Sequence, residues 1–111
     1  MLTEASEILT LADHIRPNDL EASLKERWLR EAEGLVQSEL VGTPLSELFP
    51  DGSYVLSVPV PYDRLYLWYL CAMIDCAQGD AALYQNDVAA YNAAFHDYAK
   101  WLLRQKKCAD G

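Results

Sequence analysis

Residues 59–80 read PVPYDRLYLWYLCAMIDCAQGD, and the unbroken apolar run inside them, from Leu65 to Ile74, decides the fold. Four of its first seven side chains are aromatic or sulfur-bearing (Tyr66, Trp68, Tyr69, Cys71). Ten apolar residues fall well short of the ~20 that cross a bilayer, and Asp63, Arg64 and Asp75 bracket the run closely. A helix that is apolar all round is one buried on several sides, so the run reads as the central helix of a bundle. The expected helix spans about 62–78, with Asp63 in its first turn and Gly79 as its stop.

Working toward the C-terminus, Asp80 has the side chain to cap a following helix, AALYQNDVAAYNAAFHDYAKWLLRQ. Tyr84, Val88, Tyr91, Phe95, Tyr98 and Leu102 recur there in alternating steps of four and three, the spacing of a packing seam. With only Gly79 and Asp80 between them, the last two helices read as an antiparallel hairpin over 62–105, followed by a frayed polar tail, 106–111.

Toward the N-terminus, Tyr54, Leu56 and Val58 alternate with Val55 and Ser57, a strand pattern, while Pro59 and Pro61 lack backbone donors and restrict it to an edge. No second strand is legible, so this arm, part of a connector over 42–61, is expected to pack as an extended segment or to pair with another molecule. A helix is expected over 18–41, opened by Asn18 with Glu21 three positions on. Leu24, Trp28, Ala32, Leu35 and Val36 form its apolar stripe, with Glu26, Arg30, Glu33 and Gln37 facing water. A short helix over 3–16, capped by Thr3 and stopped by Pro17, precedes it. The fold class is therefore all-α: one domain of about four helices with a C-terminal hairpin and one short extended segment before it.

Composition narrows the function classes. The chain has 111 residues, 51% of them apolar, and a net charge of −8 from 17 acidic and 9 basic residues. That balance disfavours a nucleic-acid groove and adsorption to anionic lipid, both of which need cationic surface. The three cysteines, Cys71, Cys76 and Cys108, are an odd number; the first two, lying in an apolar helix, read as buried, reduced thiols. His14 and His96 stand without a second ligand at helical spacing, so no metal site is expected. No Ser–His–Asp arrangement, phosphate loop or cysteine pair is present, so no catalytic or cofactor-binding residue is assigned. Asp63, Asp75, Asp80 and Asp87 sit on or near the hairpin, where caps and solvated faces account for them; an acid pair around Asp63 and Asp75 is the enzymatic reading to set against that. Surplus aromatics suit an interface, and the candidate contacts are Tyr54, Leu56, Val58, Tyr62, Tyr66, Trp68 and Tyr69.

The blocks LADHIRPN, RWLREAEGLVQSEL and PVPYDRLYLWYLCAMIDCAQGDAALYQNDVAAYNAAFHDYAKW together resemble a family of small structural proteins from phages and prophages of Firmicutes. The similarity covers nearly the whole chain and is weakest between Gly42 and Ser53. It implies a head–tail connector or adaptor: a virion protein, present in the bacterial cytoplasm during assembly, that forms a homo-oligomeric ring at the portal vertex and contacts portal or neck and tail proteins. It brings no catalytic residue and no cofactor. The alternative is a small cytoplasmic interaction or regulatory domain that dimerises through its C-terminal helices.

Overall fold

The computed structural model describes residues 2–41 and 55–110, with the side chains of Leu2, Val41, Val55 and residues 106–110 left aside. The described residues form an all-α bundle with one short strand pairing. In chain order these are β1 (Leu2–Glu4), α1 (Ala5–Ile15), α2 (Ala22–Val36) running into a π-helical turn at Gln37–Val41, β2 (Val55–Pro59), α3 (Arg64–Ala77) and α4 (Ala81–Asp110).

α3 is the hub. It packs most extensively on α4 and also contacts α1 and α2. Leu65, Tyr66 and Leu67 are consecutive and all buried, as are Leu70, Cys71, Ala72 and Ile74. Three consecutive residues sweep more than half of the helix circumference, so the all-round apolar pattern corresponds to burial on several sides. Each fully buried leucine there contributes about 2–3 kcal/mol relative to exposure. Ile8 and Ala12 of α1, Leu29, Ala32 and Val36 of α2, and Leu56 and Val58 of β2 complete one continuous core around it.

The turn between α3 and α4 closes by two interlocking devices. Gly79 takes φ +78°, a backbone region that a side chain makes costly. Its N–H donates to the Cys76 carbonyl at 3.1 Å, while the Asp80 N–H reaches back to the Asp75 carbonyl at 2.9 Å, the paired bonds of a Schellman stop. Asp80 then opens α4: its Oδ1 accepts the Leu83 N–H at 3.0 Å. Down the hairpin, Tyr69 meets Tyr91 edge-on at 5.4 Å, and Tyr62 meets Tyr98 and Trp101 at 5.9 and 5.5 Å. The expected seam of α4 therefore faces α3, with Tyr98 buried and Tyr84 exposed at the turn end. Trp101 joins the aromatic cluster although it lies outside the seam's spacing.

Several local expectations are corrected. The strand is not unpartnered: β2 pairs antiparallel with β1, Leu2 opposite Pro59 and Glu4 opposite Val55. Three residues carry too little alternation to be read as a strand, which is why β1 was not legible. Thr3 belongs to β1 and does not cap α1; its Oγ1 donates to Asp63 Oδ2 at 2.6 Å. Asn18 folds onto its own linker, accepting the Leu20 N–H at 3.0 Å, so α2 begins four residues later than expected. Glu33 is buried rather than solvated, and Cys76 is exposed rather than buried.

Candidate functional site

Two buried polar centres and one open groove carry the chemistry of the molecule. The first centre forms where α2, β2 and α3 meet. Glu33, on α2, accepts the Ser57 N–H on Oε2 at 2.7 Å, and the Ser57 and Tyr66 hydroxyls on Oε1 at 2.7 and 2.8 Å. The Tyr66 oxygen in turn accepts the Val58 N–H at 3.1 Å. Burial, together with the neighbouring Glu33 carboxylate, pushes the Tyr66 phenol far above its ordinary range and keeps it a donor. Every partner here is a backbone or side-chain group of the same chain. The arrangement does structural work, replacing the missing sheet neighbour of β2 with side-chain acceptors and donors.

The second centre lies at the closed end of the hairpin. Arg16, just past α1, donates from Nε to Asp75 Oδ2 at 3.0 Å and from Nη2 to Asp87 Oδ1 at 3.1 Å. The side chains of Asp75 and Asp87 are 2% and 0% exposed, so one guanidinium serves two carboxyls out of water. Asp87 Oδ2 is buried without a hydrogen-bond partner. Desolvation, then the adjoining Asp75 carboxyl, pushes Asp87 up to about 6 against the pull of Arg16. Cys71 lies nearby, its thiol raised by burial to about 11. The converging acids are thus Asp75 and Asp87. Asp63, twelve residues before Asp75 on the same helix and so about 18 Å away along its axis, belongs to the Thr3 contact instead. The spacing of Asp75 and Asp87 across a hairpin turn was the signal available in the sequence; Arg16, 59 residues upstream of Asp75, gave none.

The groove, about 500 Å³, opens between α2 and α3 over Gly34, Leu35 and Tyr69, with Arg27, Arg30, Glu31 and Ser38 around them. Tyr69 donates to Glu31 Oε2 at 3.2 Å, and its phenol is pushed up to about 12 by burial and then by that carboxylate. Gly34, in mid-helix, lines it without contributing a side chain.

The candidate contact residues divide three ways. Leu56, Val58 and Tyr66 lie in the protein's own core at 0% exposure, which withdraws their side chains from any interface. Trp68 and Tyr69 on α3, and Tyr62 just before it, are half-buried, and the rings of Tyr62 and Tyr69 already pack against α4. Tyr54 lies outside the described residues. Among the described residues, Leu11, Ile15, Leu24, Val60, Leu83, Tyr84 and Leu103 are the large apolar side chains exposed, with Leu103 the most open at 60%. Of these, periodicity placed Leu24 and Tyr84 on packing stripes, whereas the fold leaves both partly open. Among the described residues no three acidic, cysteine or histidine side chains stand together as a metal cage, and no helix is long and apolar enough to cross a membrane. No protein-family model, curated protein or solved structure matches the chain.

Proposed function

We propose that the chain is a non-enzymatic structural protein of a phage head–tail junction, assembling with copies of itself as a ring at the portal vertex and contacting portal or neck and tail proteins. The resemblance of three sequence blocks to small phage structural proteins is the origin of this reading. The observation in the structure that best supports it is the shape of α4. At thirty residues it is about 45 Å long, roughly twice α3, and it runs on past Trp101, the last ring that α3's end engages. Leu103 is exposed on that projecting part. A long helix offering its outer face and end to neighbours suits a ring built by repeated head-to-tail contact. The engagement of Glu33, Asp75 and Asp87 in internal bonds further supports a structural role over acid–base chemistry.

The test is assembly with the template present: light scattering of the full chain at high concentration with and without portal protein, and electron microscopy of phage particles carrying a labelled copy. A ring at the portal vertex that Leu103→Asp weakens is the expected result. A chain that stays monomeric with portal present, and label absent from particles, would overturn the proposal. The same exposed face of α4 also favours the second reading, a cytoplasmic interaction domain that dimerises through its C-terminal helices. Its seam is already packed on α3, so that dimer would use the outer face and would form without portal.

A further inference from the structure

We propose that Arg16, Asp75 and Asp87 form a proton-operated clamp: one proton shared between the two buried carboxyls fastens the end of α1 to the closed end of the α3–α4 hairpin, and losing that proton loosens it.

The geometry sets up an imbalance of charge and of hydrogen bonds. With both carboxyls ionised, the buried cluster carries two negative charges against one positive, and Asp87 Oδ2 has no donor. A proton on Asp87 removes both deficits at once. The cluster becomes neutral, and the bare oxygen becomes an O–H donor with the adjoining Asp75 carboxyl as acceptor. Among the described residues, the groups facing Asp87 are Arg16 from the end of α1, and Asp75 and Cys71 from α3. The Cys71 thiol, raised by burial, stays neutral through the relevant range and supplies no compensating charge.

The three elements joined by the cluster define what moves. α1 is tied to α3 through apolar contacts at Ile8 and Ala12, and through Arg16 at its C-terminal end. Asp87 sits in the second turn of α4 and Asp75 in the last turn of α3, on either side of the Gly79 turn. A second charge arriving there weakens the attachment of α1 while the apolar contacts persist. The direction of the pH effect follows. Asp87 binds its proton more tightly in the folded chain, at about 6, than in the unfolded one, at 3.8. Its contribution is greatest at or below 3.8, falls as pH rises to about 6, and is flat above. Between pH 4.5 and 7.5 the folding equilibrium constant therefore drops by roughly an order of magnitude from this group.

The experiment is urea unfolding of the full chain from pH 4.5 to 7.5 at fixed ionic strength, comparing the natural protein with Asp87→Asn, and carboxyl-carbon NMR titration of the natural protein. The amide that Asp87→Asn introduces does not titrate, but it can still donate to Asp75 and accept from Arg16. The expected result is that the folding constant of Asp87→Asn, relative to the natural protein, rises by roughly an order of magnitude across that range. Amide exchange in α1 should also be slower in the variant at pH 7.5. Asp97→Asn, an exposed acid on α4, should leave the profile parallel to the natural one. A ratio independent of pH, or an Asp87 carboxyl titrating below 4.5, would sink the proposal. Should Asp87→Asn fail to fold, Asp75→Asn answers the same question: it returns the Asp87 midpoint toward the ordinary carboxylate range, whereas an unchanged midpoint overturns the shared proton.

Discussion

Three donors converge on Glu33, whereas Asp87 shares one guanidinium with a second carboxyl and keeps an oxygen bare. Both side chains are taken out of water by the same fold. The difference lies in what surrounds them. Around Glu33 the supply of N–H and O–H groups matches the acceptor's demand, so the carboxylate welds α2 to β2 and α3. Around Asp87 the supply falls short, and the remaining need is met by a proton. A buried acid with enough donors is a fixed joint; one with too few responds to pH.

Substitutions can break that contrast, beginning with the largest effect. Glu33→Ala leaves the Tyr66 hydroxyl and the Ser57 N–H facing nothing and opens a small void, and should cost about 3–5 kcal/mol by chemical denaturation. Arg16→Ala strands two carboxyls in the interior. It should cost about 3 kcal/mol at pH 7.5 and clearly less at pH 5, where a proton on Asp87 offsets part of the lost charge; a loss independent of pH would contradict the assignment. Tyr66→Phe removes one donor to Glu33 and the acceptor of the Val58 N–H while keeping the ring, for about 1–2 kcal/mol with little dependence on pH. Arg27→Ala, breaking an exposed contact to Glu31 at 3.7 Å, should stay within about 0.5 kcal/mol and marks the baseline for surface charge.

The same contrast explains how much could be read from the sequence. The all-α class, the α3–α4 hairpin, the Gly79 stop and the Asp80 cap rest on local signals: apolar periodicity, turn chemistry and one capping side chain. These act over fewer than ten residues, and a linear reading captures them. The polar centres rest on contacts across long separations, Glu33 to Tyr66 and Arg16 to Asp87, which stand 33 and 71 positions apart. Nothing in the neighbourhood of Glu33 distinguishes it from the solvated Glu26 and Glu31 of the same helix. Thr3 and Asn18 were legible as capping residues, but each found a different acceptor or donor nearby. The exposure of Cys76 follows from the face it occupies: five residues on from buried Cys71, it lies about 140° around α3 from it, toward solvent.

The turn at Gly79 lies at the surface, the kind of place where extra residues are ordinarily tolerated. Here its length is fixed by what lies beyond it. One inserted residue would rotate α4 about its axis by roughly 100° relative to α3. Asp87 would swing away from Arg16, and Tyr91 and Tyr98 would leave Tyr69 and Tyr62 together. A short, solvent-facing bend thus sets the phase of the entire second half of the bundle. Epitope tags or fusion partners spliced there would scramble the chain's interior, despite touching only water.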